Sequence, residues 1–133
     1  FPLRNRLRLE KWMAFLLISC SMNSIDFKST QVFLKNAKKL SKRYPSFKAD
    51  LVAFKRSLEK EPNQGTLLAG GFRKIRMAIT SKVRGKSGGA RVITLNCIVA
   101  EKVDKIILVN VYDKADQESI SDKEIREALN SLI

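Results

Sequence analysis

The 133-residue chain contains no histidine. That absence removes imidazole as a general acid or base, the Ser-His-Asp and Cys-His arrangements, and His-ligated metals. Only two cysteines are present, Cys20 and Cys97, too few for a zinc site or a disulfide framework. A reducing cytoplasm is therefore the expected compartment. Aromatic rings are scarce, with one Trp, two Tyr and seven Phe, so a platform of stacking side chains for sequence-specific single-strand binding is not expected. No apolar run approaches the roughly 20 residues that cross a bilayer, and no membrane partner is expected. Carboxylates are missing from a whole stretch: residues 62–100 hold seven Lys and Arg and no Asp or Glu.

What is present is positive charge. Lys and Arg number 26 against 13 Asp and Glu, a formal net charge of +13. The net charge is +3 over residues 1–21, +6 over 22–61, +7 over 62–100 and −3 over 101–133. Exposed surface ordinarily mixes both signs, so this asymmetry points to a polyanionic partner. Apolar residues make up 44% of the chain, enough for a packed core, and the length fits one domain.

Residues 1–21 read as foreign to that domain. Arg4, Arg6, Arg8 and Lys11 lead into seven apolar residues, Trp12 to Ile18, and Leu17-Ile18-Ser19-Cys20 has the look of a lipoprotein cleavage site. The preferred reading is sequence translated upstream of a start at Met22, with residues 22–133 as the single domain. A secretory leader and an additional helix are the alternatives.

Ile25 and Phe27 alternate, as in a brief strand. Ser29 or Thr30 then caps a helix whose apolar stripe is Phe33, Ala37, Leu40 and Tyr44. Its other face carries Lys35, Lys38, Lys39, Lys42 and Arg43, a candidate docking surface for an acidic protein or for RNA. Tyr44-Pro45 ends it. Ser46 caps a second helix, striped by Phe47, Leu51, Phe54 and Leu58 and ended by Glu61-Pro62. Such closely joined amphipathic helices suggest an antiparallel pair. After a loop over 63–71, residues 72–79 alternate with period two, Ile75, Met77 and Ile79 on one side and Lys74 and Arg76 on the other. Residues 90–99 form a strand, 101–104 a turn, and 105–112 a nearly all-apolar strand expected at the sheet centre. A last helix, capped by Ser121 or Asp122, uses Ile125, Leu129 and Leu132. The order β-α-α-β-β-β-α predicts an α+β fold, with the helix pair on one face of a mostly antiparallel four-stranded sheet.

The candidate chemistry lies in Arg73, Lys74, Arg76, Lys82, Arg84, Lys86 and Arg91, with Tyr112 and Lys114 farther on. Lys74 and Arg76 share a strand face, and Arg91 opens the neighbouring strand. Gly85, Gly88 and Gly89 allow the intervening backbone to approach a phosphate closely. Phe33, Phe47 and Phe54 read as core, and Cys97 as a buried, inert thiol.

These residues resemble a family. Gly71-Phe72-Arg73-Lys74-Ile75-Arg76, then Gly88-Gly89-Ala90-Arg91-Val92-Ile93, then Val109-Asn110-Val111-Tyr112-Asp113-Lys114 are similar to the RelE/ParE superfamily of type II toxin–antitoxin pairs, nearest its HigB-type branch. The resemblance spans about residues 24–132. It implies a RelE-like fold and a toxin that cleaves mRNA in the decoding site of the ribosome. No metal or other cofactor is needed: the RNA 2′-hydroxyl attacks the adjacent phosphate. By the resemblance, Lys74 and Arg76 occupy phosphate-binding strand positions where a lysine serves as general base. Arg91 matches the arginine that stabilises the transition state, and Lys114 falls near the acid for the leaving 5′-oxygen. Arg73, Lys82, Arg84, Lys86 and Tyr112 would bind RNA or phosphate. Two positions depart from the family: Ile120 stands where some members place a base-stacking Tyr, leaving Tyr112 as the nearest substitute, and Thr94 stands where many carry Tyr. The implied partners are the ribosome and its mRNA, a cognate antitoxin, and operator DNA only through the antitoxin complex. Two other readings use the same fold: a ParE-like gyrase inhibitor, and a basic nucleic-acid-binding module without catalysis.

Overall fold

A computed structural model describes residues 25–81 and 89–132. The elements are β1 (Asp26–Ser29), α1 (Gln31–Arg43), α2 (Phe47–Lys60), β2 (Thr66–Leu67), a 3-10 turn (Ala69–Gly71), β3 (Phe72–Met77), β4 (Ala90–Val99), β5 (Lys102–Asp113) and α3 (Asp122–Leu129). The fold is α+β. The sheet has five strands in the order β1-β5-β4-β3-β2 and is mixed, because β1 runs parallel to β5 while the other neighbours are antiparallel. The expected four strands are joined by β2, two residues that fold back on β3 through the turn at Gly70 and Gly71, both at positive φ. Residues 1–21, expected to be foreign to the domain, lie outside the described residues.

Thr30 starts α1. Its hydroxyl accepts from Phe33 N–H at 3.0 Å and donates to the Val109 carbonyl at 2.6 Å, so one buried side chain caps the helix and ties it to β5. The stripe of α1 buries Phe33, Leu34, Ala37 and Leu40, and that of α2 buries Phe47, Leu51, Phe54 and Leu58. Both helices close on one sheet face, formed by Phe27, Ile75, Met77, Ala90, Val92, Ile106, Leu108 and Val111. Burial of each large side chain contributes about 1.5–3 kcal/mol. Ser46 heads α2 without capping it; its hydroxyl instead donates to Asp50 and accepts from Ser81 N–H, which fixes the exit from β3.

The opposite face holds Phe72, Ile93, Ile107, Val109 and Tyr112 under Ile125 and Ala128 of α3. Ser121 caps α3, and Leu132 lies beyond its end, 45% exposed. Buried on both faces, β5 is indeed internal, between β1 and β4. The β4–β5 turn is tighter than expected. It consists of Ala100 and Glu101, both at positive φ, and β5 already begins at Lys102. Cys97 is half-buried, packed against the α3-side core rather than sealed within it.

Candidate nucleic-acid interface

Strand alternation decides which cations meet. On β3, Ile75 and Met77 point into the helix-pair core, so Lys74 and Arg76 belong to the face that carries α3. On β4, Val92 faces the helix pair and Ile93 the α3 side, so Arg91 shares the face of Lys74 and Arg76. The register sets Arg76 directly opposite Arg91, and Lys74 opposite Ile93. Side chains directly opposite on an antiparallel pair start about 4.5–5.5 Å apart at Cβ, where like charges repel.

A β-bulge brings in Tyr112. Ile93 is opposite Asn110 but Thr94 is opposite Leu108, so β5 carries one extra residue there. Leu108 and Val111 both face the helix pair, which leaves Tyr112 on the α3 side, directly opposite Arg91. In an unbroken alternation Tyr112 would share the face of Leu108, away from the arginines. Asn110 holds the bulge: its side-chain oxygen accepts from Val111 N–H at 2.8 Å and from the Asn36 amide at 2.7 Å.

Arg76, Arg91 and Tyr112 therefore form one cross-strand row, with Lys74 beside it. Arg76 is exposed, Lys74 and Arg91 are half-buried, and Tyr112 is 6% exposed. The Tyr112 ring is packed in the core beneath α3, so it offers no open face to stack a base. Its hydroxyl is buried and has no hydrogen-bond partner among the described residues. Burial raises its pKa, Arg91 opposes the shift and Glu124 adds to it, so the phenol stays protonated and is a donor at neutral pH. Lys114 follows two residues after Tyr112; its backbone N–H donates to Gly89 and its ammonium lies 3.4 Å from the Glu118 carbonyl.

Other expected members lie elsewhere. Arg73 alternates onto the helix-pair side, opposite Thr94, and its guanidinium donates to the Asn63 carbonyl at 3.1 Å. It does not join the row. Lys82, Arg84 and Lys86 fall outside the described residues. On α1, Lys35, Lys39 and Lys42 are exposed and Lys38 is half-buried. Arg43 is committed within the molecule, to Asp116 at 2.7 Å and Asp113 at 3.1 Å, which hold its guanidinium protonated.

Asp113 was not among the expected functional residues. Its side chain is fully buried at the end of an apolar strand, and it accepts from Arg43, the Tyr44 hydroxyl and Ala115 N–H. The clamp fixes the end of β5 from the helix-pair side, between Tyr112 and Lys114. A carboxylate closing an apolar run was the available signal.

A concentrated row of cations can bind a tetrahedral oxyanion, and stabilises most strongly the extra charge of a pentacoordinate phosphorus. No protein-family model and no curated protein matches this chain. Among the described residues no helix is long and apolar enough to cross a membrane.

Proposed function

We propose that the chain is a RelE-type toxin of a type II toxin–antitoxin pair, an endoribonuclease that cuts ribosome-bound mRNA and so stops translation. The reading is supported above all by the direct cross-strand pairing of Arg76 with Arg91 on a face that also carries Lys74 and the Tyr112 hydroxyl. Two guanidinium groups held opposite one another favour a ligand with concentrated negative charge. In the proposed reaction Lys74 takes the proton from the RNA 2′-hydroxyl. The 2′-oxygen bonds to phosphorus, and the bond from phosphorus to the 5′-oxygen breaks. Arg76 and Arg91 stabilise the charge that builds on the non-bridging oxygens, and Lys114 protonates the departing 5′-oxygen. The products are a 2′,3′-cyclic phosphate and a 5′-hydroxyl, with no metal in the scheme. An antitoxin would neutralise the enzyme, with the exposed lysines of α1 as a docking surface.

The test is cleavage of mRNA on purified ribosomes. Arg91→Ala is expected to lower the rate about 10²–10³-fold. Undiminished cutting by this variant would remove the assigned role of the row. Tight ribosome binding by the wild-type chain with intact mRNA would make it a nucleic-acid-binding module instead.

A further inference from the structure

In the reaction proposed above, Lys114 gives a proton to the 5′-oxygen as its bond to phosphorus breaks. Lys114 is the first residue past the end of β5, so its placement depends on what holds the chain there. We propose that Arg43, the last residue of α1, is a positioning residue for this proton transfer: through Asp113 and Asp116 it holds the backbone that carries Lys114, an inference that rests on the function proposed above.

Ties converge on this short segment from two sides. Arg43 Nη1 donates to Asp113 Oδ2 at 3.1 Å and to Asp116 Oδ2 at 2.7 Å, one residue before Lys114 and two after it. The Tyr44 hydroxyl donates to the same Asp113 oxygen. Asp113 Oδ1 accepts from Ala115 N–H at 2.9 Å, and the Asp113 carbonyl accepts from Asp116 N–H at 3.0 Å, which closes the turn around Lys114. From the other side, Lys114 N–H donates to the Gly89 carbonyl at 3.2 Å, two residues from Arg91. The end of α1 thus grips both flanks of Lys114, and Gly89 fixes its middle against the strand of the proposed transition-state arginine. Stability alone does not call for such a clamp, because a buried ion pair is often no more stabilising than an apolar filling of the same space. A planar guanidinium held by two carboxylates does fix direction and distance. Proton transfer needs both, since the two heavy atoms must come within about 2.6–3.2 Å. The Asp113 side chain is fully buried, whereas that of Arg43 is 37% exposed, so the clamp can be cut at Arg43 without opening the core.

The test compares two messages on purified ribosomes, one natural and one carrying sulfur in place of the 5′-oxygen at the cut. A thiolate leaves without a proton, so the sulfur message bypasses whatever serves the leaving group. Arg43→Gln in the full chain is expected to lower kcat on the natural message about 10–100-fold with KM unchanged. On the sulfur message it should cut within about twofold of the wild-type rate. Lys114→Ala should show the same split, and a uniform loss there overturns the role. Arg43→Lys keeps the charge but not the planar fork, and is expected to recover part of the loss. If Arg43→Gln does not fold, Tyr44→Phe removes a single donor to Asp113 and should give a smaller loss split in the same way; no split there overturns the role. For Arg43→Gln, an equal loss on both messages would make the clamp structural, and a raised KM with kcat unchanged would make Arg43 a docking residue. Either result, or an undiminished rate, overturns the positioning role and leaves the nuclease reading standing. A wild type that cuts neither message overturns the functional reading, and the positioning role with it.

Discussion

Tyr112 is a residue at which stability and activity are expected to part. Its buried, unpartnered hydroxyl carries a desolvation cost of about 1–3 kcal/mol. Tyr112→Phe should leave the melting temperature unchanged or raise it while mRNA cutting falls; a loss of both would mean the hydroxyl serves the fold. The chain has two tyrosines, and both phenols are raised, Tyr44 by its hydrogen bond to Asp113 and Tyr112 by burial. An acid whose pKa is raised by folding keeps its proton more firmly in the folded state. Its contribution to stability is complete below the ordinary phenol value of about 10 and is lost as pH rises through the folded value. Tyrosinate absorbance should therefore appear late, and denaturant midpoints should fall above pH about 10, less so in Tyr44→Phe. Asp113→Ala removes the acceptor of three donors and is expected to cost about 2–3 kcal/mol by chemical denaturation. At this scale Lys74, Arg76 and Arg91 were legible, because alternation alone assigns a strand face. Tyr112 was a candidate too, but its strand face depends on a bulge and its burial on where α3 docks, and neither was legible. Arg73 shows the limit of composition: it sits in the same basic run, yet one residue's offset sends it to the other side.

Among the elements, α1 and α3 were legible from their stripes and caps, α2 from its stripe alone since Ser46 does not cap it, and β5 from its uninterrupted apolar run. The two-residue β2 has no periodicity to read, and it exists because the Gly70–Gly71 turn folds it onto β3. The parallel pairing of β1 was equally hidden, because strand polarity depends on the path of the two intervening helices. The β4–β5 turn was misread because Ala100 and Glu101 are poor residues for positive φ, where Asn and Gly are preferred. Replacing them should relieve that strain. Ala100→Asn with Glu101→Gly is expected to stabilise by about 1 kcal/mol, raising the melting temperature by about 4 °C. No gain would mean that the turn is held by its flanking strands regardless of residue type. Gly89 works in the opposite direction. At φ +72° its missing Cβ makes room for the Met77 carbonyl, so Gly89→Ala should destabilise and disturb the start of β4 beside Arg91.

For the whole molecule, the charge of +13 makes salt the simplest probe. Single-stranded RNA binding weakens with salt at a slope of about −0.7 per phosphate neutralised. Lys74, Arg76, Arg91 and Lys114 together predict a log–log slope of about −3 or steeper, and Arg91→Ala should flatten it by about 0.7. An unaltered slope would place Arg91 outside the bound strand's path. The pairing of β1 with β5 also bears on the order in which the protein is made. Thr30 and Val109 are hydrogen-bonded across 79 residues. At ordinary synthesis rates about 4–16 s separate their appearance. During that interval β1 has no strand to join. The row of Arg76, Arg91 and Tyr112 is also incomplete until β5 emerges and pairs with β4. On the proposed function, the nascent chain lacks the complete row until β5, the last strand among the described residues, has been made.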